Sequence, residues 1–91
     1  MTIDDIKTYL RVDHDDDDNL INQLEKTADA YLVSAVTDYS SHYENDENFK
    51  ASADMAKLAI IAELYENRNE AKQDDYSFTI RSMITQLQYW E

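Results

Sequence analysis

The sequence predicts an all-α fold, and three observations lead to that prediction. The 91 residues include neither glycine nor proline, so the tight turns of a β-sheet lack the residue that they usually need. Apolar residues recur at helical spacing along most of the chain. The stretches between these periodic segments are rich in Asn, Asp and Ser, which are typical turn residues. We therefore expect one small domain, residues 1–91, built as a bundle of about four helices.

Helix one should cover about residues 3 to 11. Ile3, Ile6 and Leu10 fall on one helical face, at the spacing that an amphipathic helix needs. Thr2 is a favourable N-cap residue, and Asp5 stands three positions later, as in a variant of the capping box. We therefore expect a short helix that packs by one face and begins with two reciprocal hydrogen bonds.

An acidic run, residues 13–18 (DHDDDD), stands where the second helix should begin. Asp15 or Asp16 should cap that helix, and the remaining carboxylates should favour the positive end of its dipole. A dedicated calcium loop is not predicted. An EF-hand alignment puts Asp18 where glycine is needed and Leu24 where a bidentate glutamate is needed.

The remaining helices follow from periodicity. Helix two should cover about residues 16 to 38, helix three about 46 to 71 and helix four about 77 to 90. Helix three is apolar on nearly every side, which predicts a central element buried by its neighbours or by another subunit. The polar segment between helices two and three should be a loop with room for a short turn, which Tyr39 and Tyr43 can tether to the core.

The composition excludes several kinds of functional site, and no sequence motif points to a particular chemistry. Cysteine is absent, so disulfides and thiolate metal sites are excluded, and the lack of glycine excludes phosphate-binding loops. No apolar run approaches the roughly 18 residues that span a bilayer, and the N-terminus lacks the features of a signal peptide. The two histidines, His14 and His42, have no motif partner. We predict no enzyme activity, no cofactor and no metal, and we expect a cytosolic protein or a component of a particle that is assembled in the cytosol.

The net charge of −12 arises from 20 acidic residues against 8 lysines and arginines. Such a surface repels nucleic acid and anionic membranes. Three interpretations stay open. The acids can line a pore past which DNA slides without sticking, they can imitate DNA and occupy a DNA-binding protein, or they can simply keep a small protein in solution.

Two places in the chain are candidate interfaces. Arg68 closes the passage that begins with Tyr65, where it lies near the negative end of predicted helix three or forms a salt bridge across a subunit boundary. Tyr89 and Trp90 stand at the end of predicted helix four. Trp90 either folds back on the core or anchors into a partner, because Trp and Tyr are enriched in binding hot spots.

Four passages in order resemble the head–tail connector (head-completion adaptor) family of long-tailed bacteriophages and prophages. They are IDDIKTYLRV at 3–12, DDDDNLI at 15–21, AKLAIIAELYENR at 56–68 and the amphipathic tail 80–90. The resemblance covers nearly the whole chain. It departs in two respects. Family members often carry glycine or proline near the loops that flank the central helix, and this chain has neither. The acidic run at 13–18 is also heavier than is usual in the family.

The resemblance implies a ring with on the order of a dozen copies beneath the portal protein, where repeated heterologous contacts close a circle. Such a ring extends the DNA channel, lets DNA pass without specific binding, and receives a tail-side head-closure protein. The resemblance also makes Tyr89 and Trp90 candidate portal anchors, because the family's C-terminal segment tends to dock there. No membrane partner is expected, and the place of action would be the head–tail junction of the virion.

The alternative is a small acidic inhibitor that mimics DNA. A mimic needs carboxylates spaced along a surface as phosphates are along a duplex. Here much of the acid is bunched at 13–18 and 44–47, which favours the connector.

Overall fold

The computed structural model of the protein describes residues 1–66 and 78–90. These residues form five α-helices: α1 Ile3–Leu10, α2 Asp18–Ala35, α3 Tyr39–Asn45, α4 Glu47–Glu66 and α5 Phe78–Gln88. Within the described ranges no residue lies in a β-strand. The predicted all-α fold is therefore confirmed, with one short helix more than the periodicity indicated.

Helix α1 begins and ends as its sequence dictates. The Thr2 hydroxyl accepts a hydrogen bond from the Asp5 amide at 3.2 Å, and the Asp5 carboxylate accepts one from the Thr2 amide at 3.1 Å. The predicted capping box is confirmed, and the backbone hydrogen bond from Thr2 lowers the pKa of Asp5. Arg11 ends the helix in the left-handed conformation, with φ 61°. The Val12 amide then donates to the Lys7 carbonyl at 2.9 Å, which gives the end of α1 a Schellman-type closure.

Helices α2 and α4 run antiparallel and form the centre of the fold. The Tyr65 hydroxyl, near the end of α4, donates to the Asp17 carboxylate beside the start of α2 at 2.6 Å. Helix α4 contacts each of the other four helices, so the prediction that it is the central element is confirmed. Its buried face consists of Phe49, Ala53, Ala56, Lys57, Ile60 and Ile61. The small residues on this face let α2 approach closely.

The segment predicted as a loop contains helix α3. Asp38 lies in the left-handed region with φ 57°, which turns the chain sharply after α2. Tyr39 is buried, its ring stacks on Tyr43 at 5.7 Å, and it meets the edge of Phe49 at 5.6 Å. The loop prediction was wrong because the Ser- and Asn-rich composition is local information, whereas this short helix is stabilised by tertiary packing. The predicted tethering by the two tyrosines is confirmed.

The start of α2 also differs from the prediction. Its N-cap position is Asp17 rather than Asp15 or Asp16, and no side chain forms a cap hydrogen bond there. Asp15 is held by Lys7 instead, while the Asp16 side chain is 93% exposed. The cap prediction did not account for an ammonium group eight positions earlier that competes for the same carboxylates.

Candidate assembly surfaces

The acidic run is partly neutralised by one lysine of α1. Lys7 Nζ lies 2.8 Å from Asp15 Oδ1 and 2.8 Å from Asp18 Oδ1. These hydrogen bonds raise the pKa of Lys7 and, together with the charge of the ammonium, lower the pKa of Asp15. The ammonium therefore braces α1 against the start of α2.

The rest of the run faces outward. Asp13, His14 and Asp16 are exposed. The His14 Nδ1 accepts a hydrogen bond from the Asp16 amide at 3.2 Å and lies 3.9 Å from the Asp16 carboxylate. In residues 1–66 and 78–90 no group of three or more carboxylates or histidines is placed to hold a metal ion.

Tyr65, one of the candidate interface residues, has a structural role in the described part of the chain. Its ring is only partly exposed, and its hydroxyl is bound to the Asp17 carboxylate at 2.6 Å. This bond ties the end of α4 to the turn before α2. Arg68, the other candidate at this end, lies outside the described residues.

Trp90 folds back on the core, which was one of the two interpretations left open by the sequence. Its ring meets Phe49 edge-on at 5.5 Å and 87°, and its Nε1 donates to Asp46 Oδ2 at 2.9 Å. The other oxygen of Asp46 accepts hydrogen bonds from the Asn48 and Phe49 amides at 2.9 and 3.1 Å. One carboxylate thus caps α4 and holds the C-terminal Trp. The hydrogen bond from Trp90, followed by that from the Phe49 amide, lowers the pKa of Asp46.

Tyr89 is presented outward between two anchored residues. Its side chain is 80% exposed. Gln88 on one side donates to the Ala35 carbonyl at 3.0 Å, and Trp90 on the other side is clamped to Asp46. An exposed ring with a fixed backbone loses little conformational entropy on binding, which suits it to a contact with another molecule.

A groove of about 720 Å³ lies where α1, α4 and α5 meet. Its apolar wall is formed by Tyr9, Leu10, Ala59, Ala62 and Ile80. Arg11, Glu63 and Glu66 add charge at its margin. The groove therefore combines apolar and charged groups at the surface, as protein–protein interfaces do.

Two further residues were missed from sequence. Asp46 had a local signal, since an acid at the expected start of helix three is a cap candidate. Lys57 also had a local signal, because it interrupts an otherwise apolar helix at a position that faces the core. Its Nζ lies 3.2 Å from Asp29 and 3.8 Å from Glu25, so α2 supplies the charges that allow it to be buried.

Comparison with known proteins identifies a family. Residues 1–87 match the family model described as Phage gp6-like head-tail connector protein. Searches among curated proteins and among solved structures found no match. None of the helices described in residues 1–66 and 78–90 combines the length and apolar character needed to cross a membrane.

Proposed function

The chain belongs to the phage gp6-like head–tail connector family, and we propose that it assembles into a ring at the head–tail junction, beneath the portal. The family is structural rather than enzymatic. In the proposed role the ring extends the DNA channel and offers a docking surface to the head-closure protein on the tail side. The match over residues 1–87 is the observation that carries the proposal.

The shape of the surface supports a ring. An exposed aromatic residue, Tyr89, lies beside the α3–α4 corner, while the apolar groove lies at the opposite end of α4. Different contact features at its two ends let the chain bind the portal with one and another subunit with the other, and head-to-tail contacts between subunits close into rings when the rotation permits. About a dozen copies would match the symmetry expected of the portal.

The charge supports a channel through which DNA passes. Asp4, Asp13 and Asp16 are exposed, and Lys7 is occupied by its two carboxylates. A lumen lined by such acids offers DNA no cationic contact to the phosphates, and those contacts supply most non-specific affinity. Sliding without binding is the behaviour that a DNA conduit requires.

In this proposal Tyr89 and Trp90 have different roles. Tyr89 inserts into the portal, because its ring is exposed and its backbone is held on both sides. Trp90 positions Tyr89 through Phe49 and Asp46 instead of contacting the portal itself. Arg68 remains a proposed contact between subunits: Arg68→Glu should block ring closure, and normal rings from that variant would refute the assignment.

A DNA mimic is less well supported. Lys7 neutralises Asp15 and Asp18, so the densest part of the acidic run does not present an unbroken row of charge. A competition assay with a restriction enzyme or a repressor would detect mimicry.

The absolute mass of the chain, measured by light scattering with and without purified portal, tests the proposed function. We expect a species of about twelve subunits, alone or on the portal, and a loss of portal binding in Tyr89→Ala with unchanged helical content. A chain that stays monomeric and does not bind portal would overturn the proposal.

A further inference from the structure

A second recess lies between α2, α3 and α4, at a distance from the groove described above. Its volume is about 240 Å³. Asp29 and Val33 of α2, Tyr39, Tyr43 and Glu44 of α3, and Lys57 of α4 contribute to its wall. We refer to it as the α2–α4 recess. Like the groove, it is lined by charged groups of both signs.

The α2–α4 recess contains a buried hydroxyl group that is not satisfied. Tyr39 is 5% exposed, and its hydroxyl has no hydrogen-bond partner among the described residues. Burial, together with the charges of Asp29 and Asp54, raises the pKa of Tyr39 to about 12. Tyr39 itself contributes to the wall of the recess. An unpaired buried hydroxyl is unfavourable, and a donor that enters from outside relieves that cost.

The charges around the recess favour a cation. Lys57 is the one basic residue in its described wall, and it is already shared by Asp29 at 3.2 Å and Glu25 at 3.8 Å. The Asp29 side chain is 50% exposed, and Glu44 is exposed as well. Both carboxylates can therefore accept further hydrogen bonds from a molecule that approaches from solvent.

A guanidinium group fits these acceptors better than an ammonium group. The carboxylates of Asp29 and Glu44 and the phenol of Tyr39 belong to residues that line the recess. Guanidinium is planar and carries five N–H donors in a fixed fork, so it can bind several acceptors at once and stack on an aromatic ring.

Most basic residues of the described chain are already engaged. Lys7 and Lys57 form ion pairs, Lys50 lies 5.6 Å from the centre of the Tyr43 ring, and Arg81 has an interaction of its own. Lys26 and Arg11 remain exposed. Lys26 lies on α2 only one turn before Asp29, beside the recess, so it is poorly placed to enter the recess of a neighbour in a head-to-tail arrangement.

Arg11 is placed for such a contact. It ends α1 and lines the groove together with Ala62 and Glu66, which lie on the last turns of α4. Glu66 is nine residues after Lys57 on this helix, or about 13 Å along its axis. Arg11 also adopts φ 61°, a conformation in which glycine is favoured. A long basic side chain at this position therefore has a conformational cost.

We propose that Arg11 of one copy enters the α2–α4 recess of the next copy, where its guanidinium group binds Asp29, Glu44 and the Tyr39 hydroxyl. This inference rests on the proposed ring. The contact joins different surfaces of two identical chains, so its repetition generates a closed ring. One contact between subunits of the ring is then formed by charge and hydrogen bonding, and Tyr89 stays available to bind the portal.

Arg11→Gly tests the contact without harm to the fold. Glycine suits the left-handed position, so the variant should unfold at the same or a higher temperature than the wild type. Self-association, measured as mass against concentration, should weaken at least tenfold, because loss of a charged partner at an interface leaves the opposing groups unpaired. Lys26→Gln, which removes an exposed charge of the same sign, is the matched control and should associate as the wild type does.

Tyr39→Phe tests the recess from the other side. Removal of an unpaired hydroxyl should leave the folded monomer at least as stable, and yet it should weaken association severalfold because the guanidinium loses an acceptor. Association equal to that of the wild type in Arg11→Gly would overturn the proposal. If only the Tyr39→Phe variant associates as the wild type does, the Tyr39 hydroxyl is not part of the contact.

Cysteine cross-linking identifies the occupant directly, because the natural chain has no cysteine. Oxidised Arg11→Cys/Glu44→Cys should give a ladder of multimers, while each single variant should give dimers at most. Only dimers from the double variant would overturn the head-to-tail contact. Rings that form and bind portal without this ladder would refute the Arg11 contact alone. Absence of both rings and portal binding would refute the proposed function as well.

Discussion

The two ends of the α2–α4 pair are held by different physical interactions. At the end where α1 joins, Lys7 lies 2.8 Å from both Asp15 and Asp18. The Lys7 side chain is only 12% exposed, but the carboxylates that it binds are open to solvent, at 90% and 37%. At the end where α3 and α5 join, the ring of Phe49 is fully buried and the ring of Trp90 packs on it at 5.5 Å. One end is fastened by charge and the other by apolar burial.

The difference bears on where stability and adaptability reside. Exposed ion pairs contribute little to folding and weaken as salt rises, whereas buried aromatic contacts contribute more and are not screened. The aromatic end should therefore keep the domain folded. The charged end can exchange partners at small cost, which suits a surface that meets DNA or another subunit. Four perturbations, taken from the largest expected effect to the smallest, test this contrast.

The largest effect should come from Phe49→Ala at the aromatic end. Phe49 is 0% exposed and contacts the rings of Tyr39, His42 and Trp90. Its truncation leaves a cavity and should lower the free energy of unfolding by about 3–5 kcal/mol. Urea denaturation followed by circular dichroism measures the change. A loss below about 1 kcal/mol would show that the aromatic cluster is not the main source of stability.

Trp90→Ala should have the next largest effect, about 1–2 kcal/mol, because it removes an edge-to-face contact and a hydrogen bond to the carboxylate that caps α4. Tyr89→Ala is the matched control. Its ring is 80% exposed, so its removal should change stability by less than about 0.5 kcal/mol. Equal losses from the two variants would contradict the assignment of Trp90 to the core and Tyr89 to the outside.

Acidification should loosen both ends. The folded state lowers the pKa of Asp5, Asp15 and Asp46 below the ordinary value of 3.8. A lowered pKa contributes stability that is present above the unfolded value and is lost as the pH falls through the folded value. Thermal unfolding should therefore be nearly independent of these groups above about pH 5 and should fall steeply below about pH 4.

The double variant Asp15→Asn/Asp46→Asn is the control for this pH dependence. It should be less stable at neutral pH, and its stability should fall less between pH 5 and pH 2. A curve parallel to that of the wild type would show that other groups govern the acid transition.

The smallest effect should come from Lys7→Gln at the charged end. The variant should lower the unfolding temperature by only a few degrees at low salt, because exposed ion pairs are weak. The difference should shrink in about 1 M NaCl, where the screening length falls to about 3 Å. A loss of stability that persists in high salt would mean that Lys7 acts mainly through its packed aliphatic stem.

The sequence allowed the α1 capping box, the all-α class and the central position of α4 to be predicted, because each depends on residues close together in the chain. Helix α3 was missed because Tyr39 is fixed by Phe49, a contact that no local pattern reveals. The cap of α2 was misplaced because Lys7 takes Asp15. For Trp90 the sequence left two outcomes open, since only the fold brings Asp46 beside a ring 44 positions later.

The same limit applies to the assembly surfaces. Tyr89 was a candidate from its residue type, from its place at the end of predicted helix four and from the family resemblance, and the structure adds that its ring is exposed on a fixed backbone. The α2–α4 recess was not predictable, because its wall combines three helices. The charge pattern predicted an acidic protein. Which carboxylates remain available to bind another molecule depends on Lys7 and Lys57, because the fold determines the partners of these lysines.

The central claim is that this chain builds a ring on the portal. Electron microscopy of purified portal, imaged alone and after incubation with the wild-type chain, tests that claim most directly. We expect an added ring of density beneath the portal that shares the axis of the portal and leaves the channel open. Portal particles indistinguishable from those without the chain, at concentrations where the chain is in excess, would contradict it.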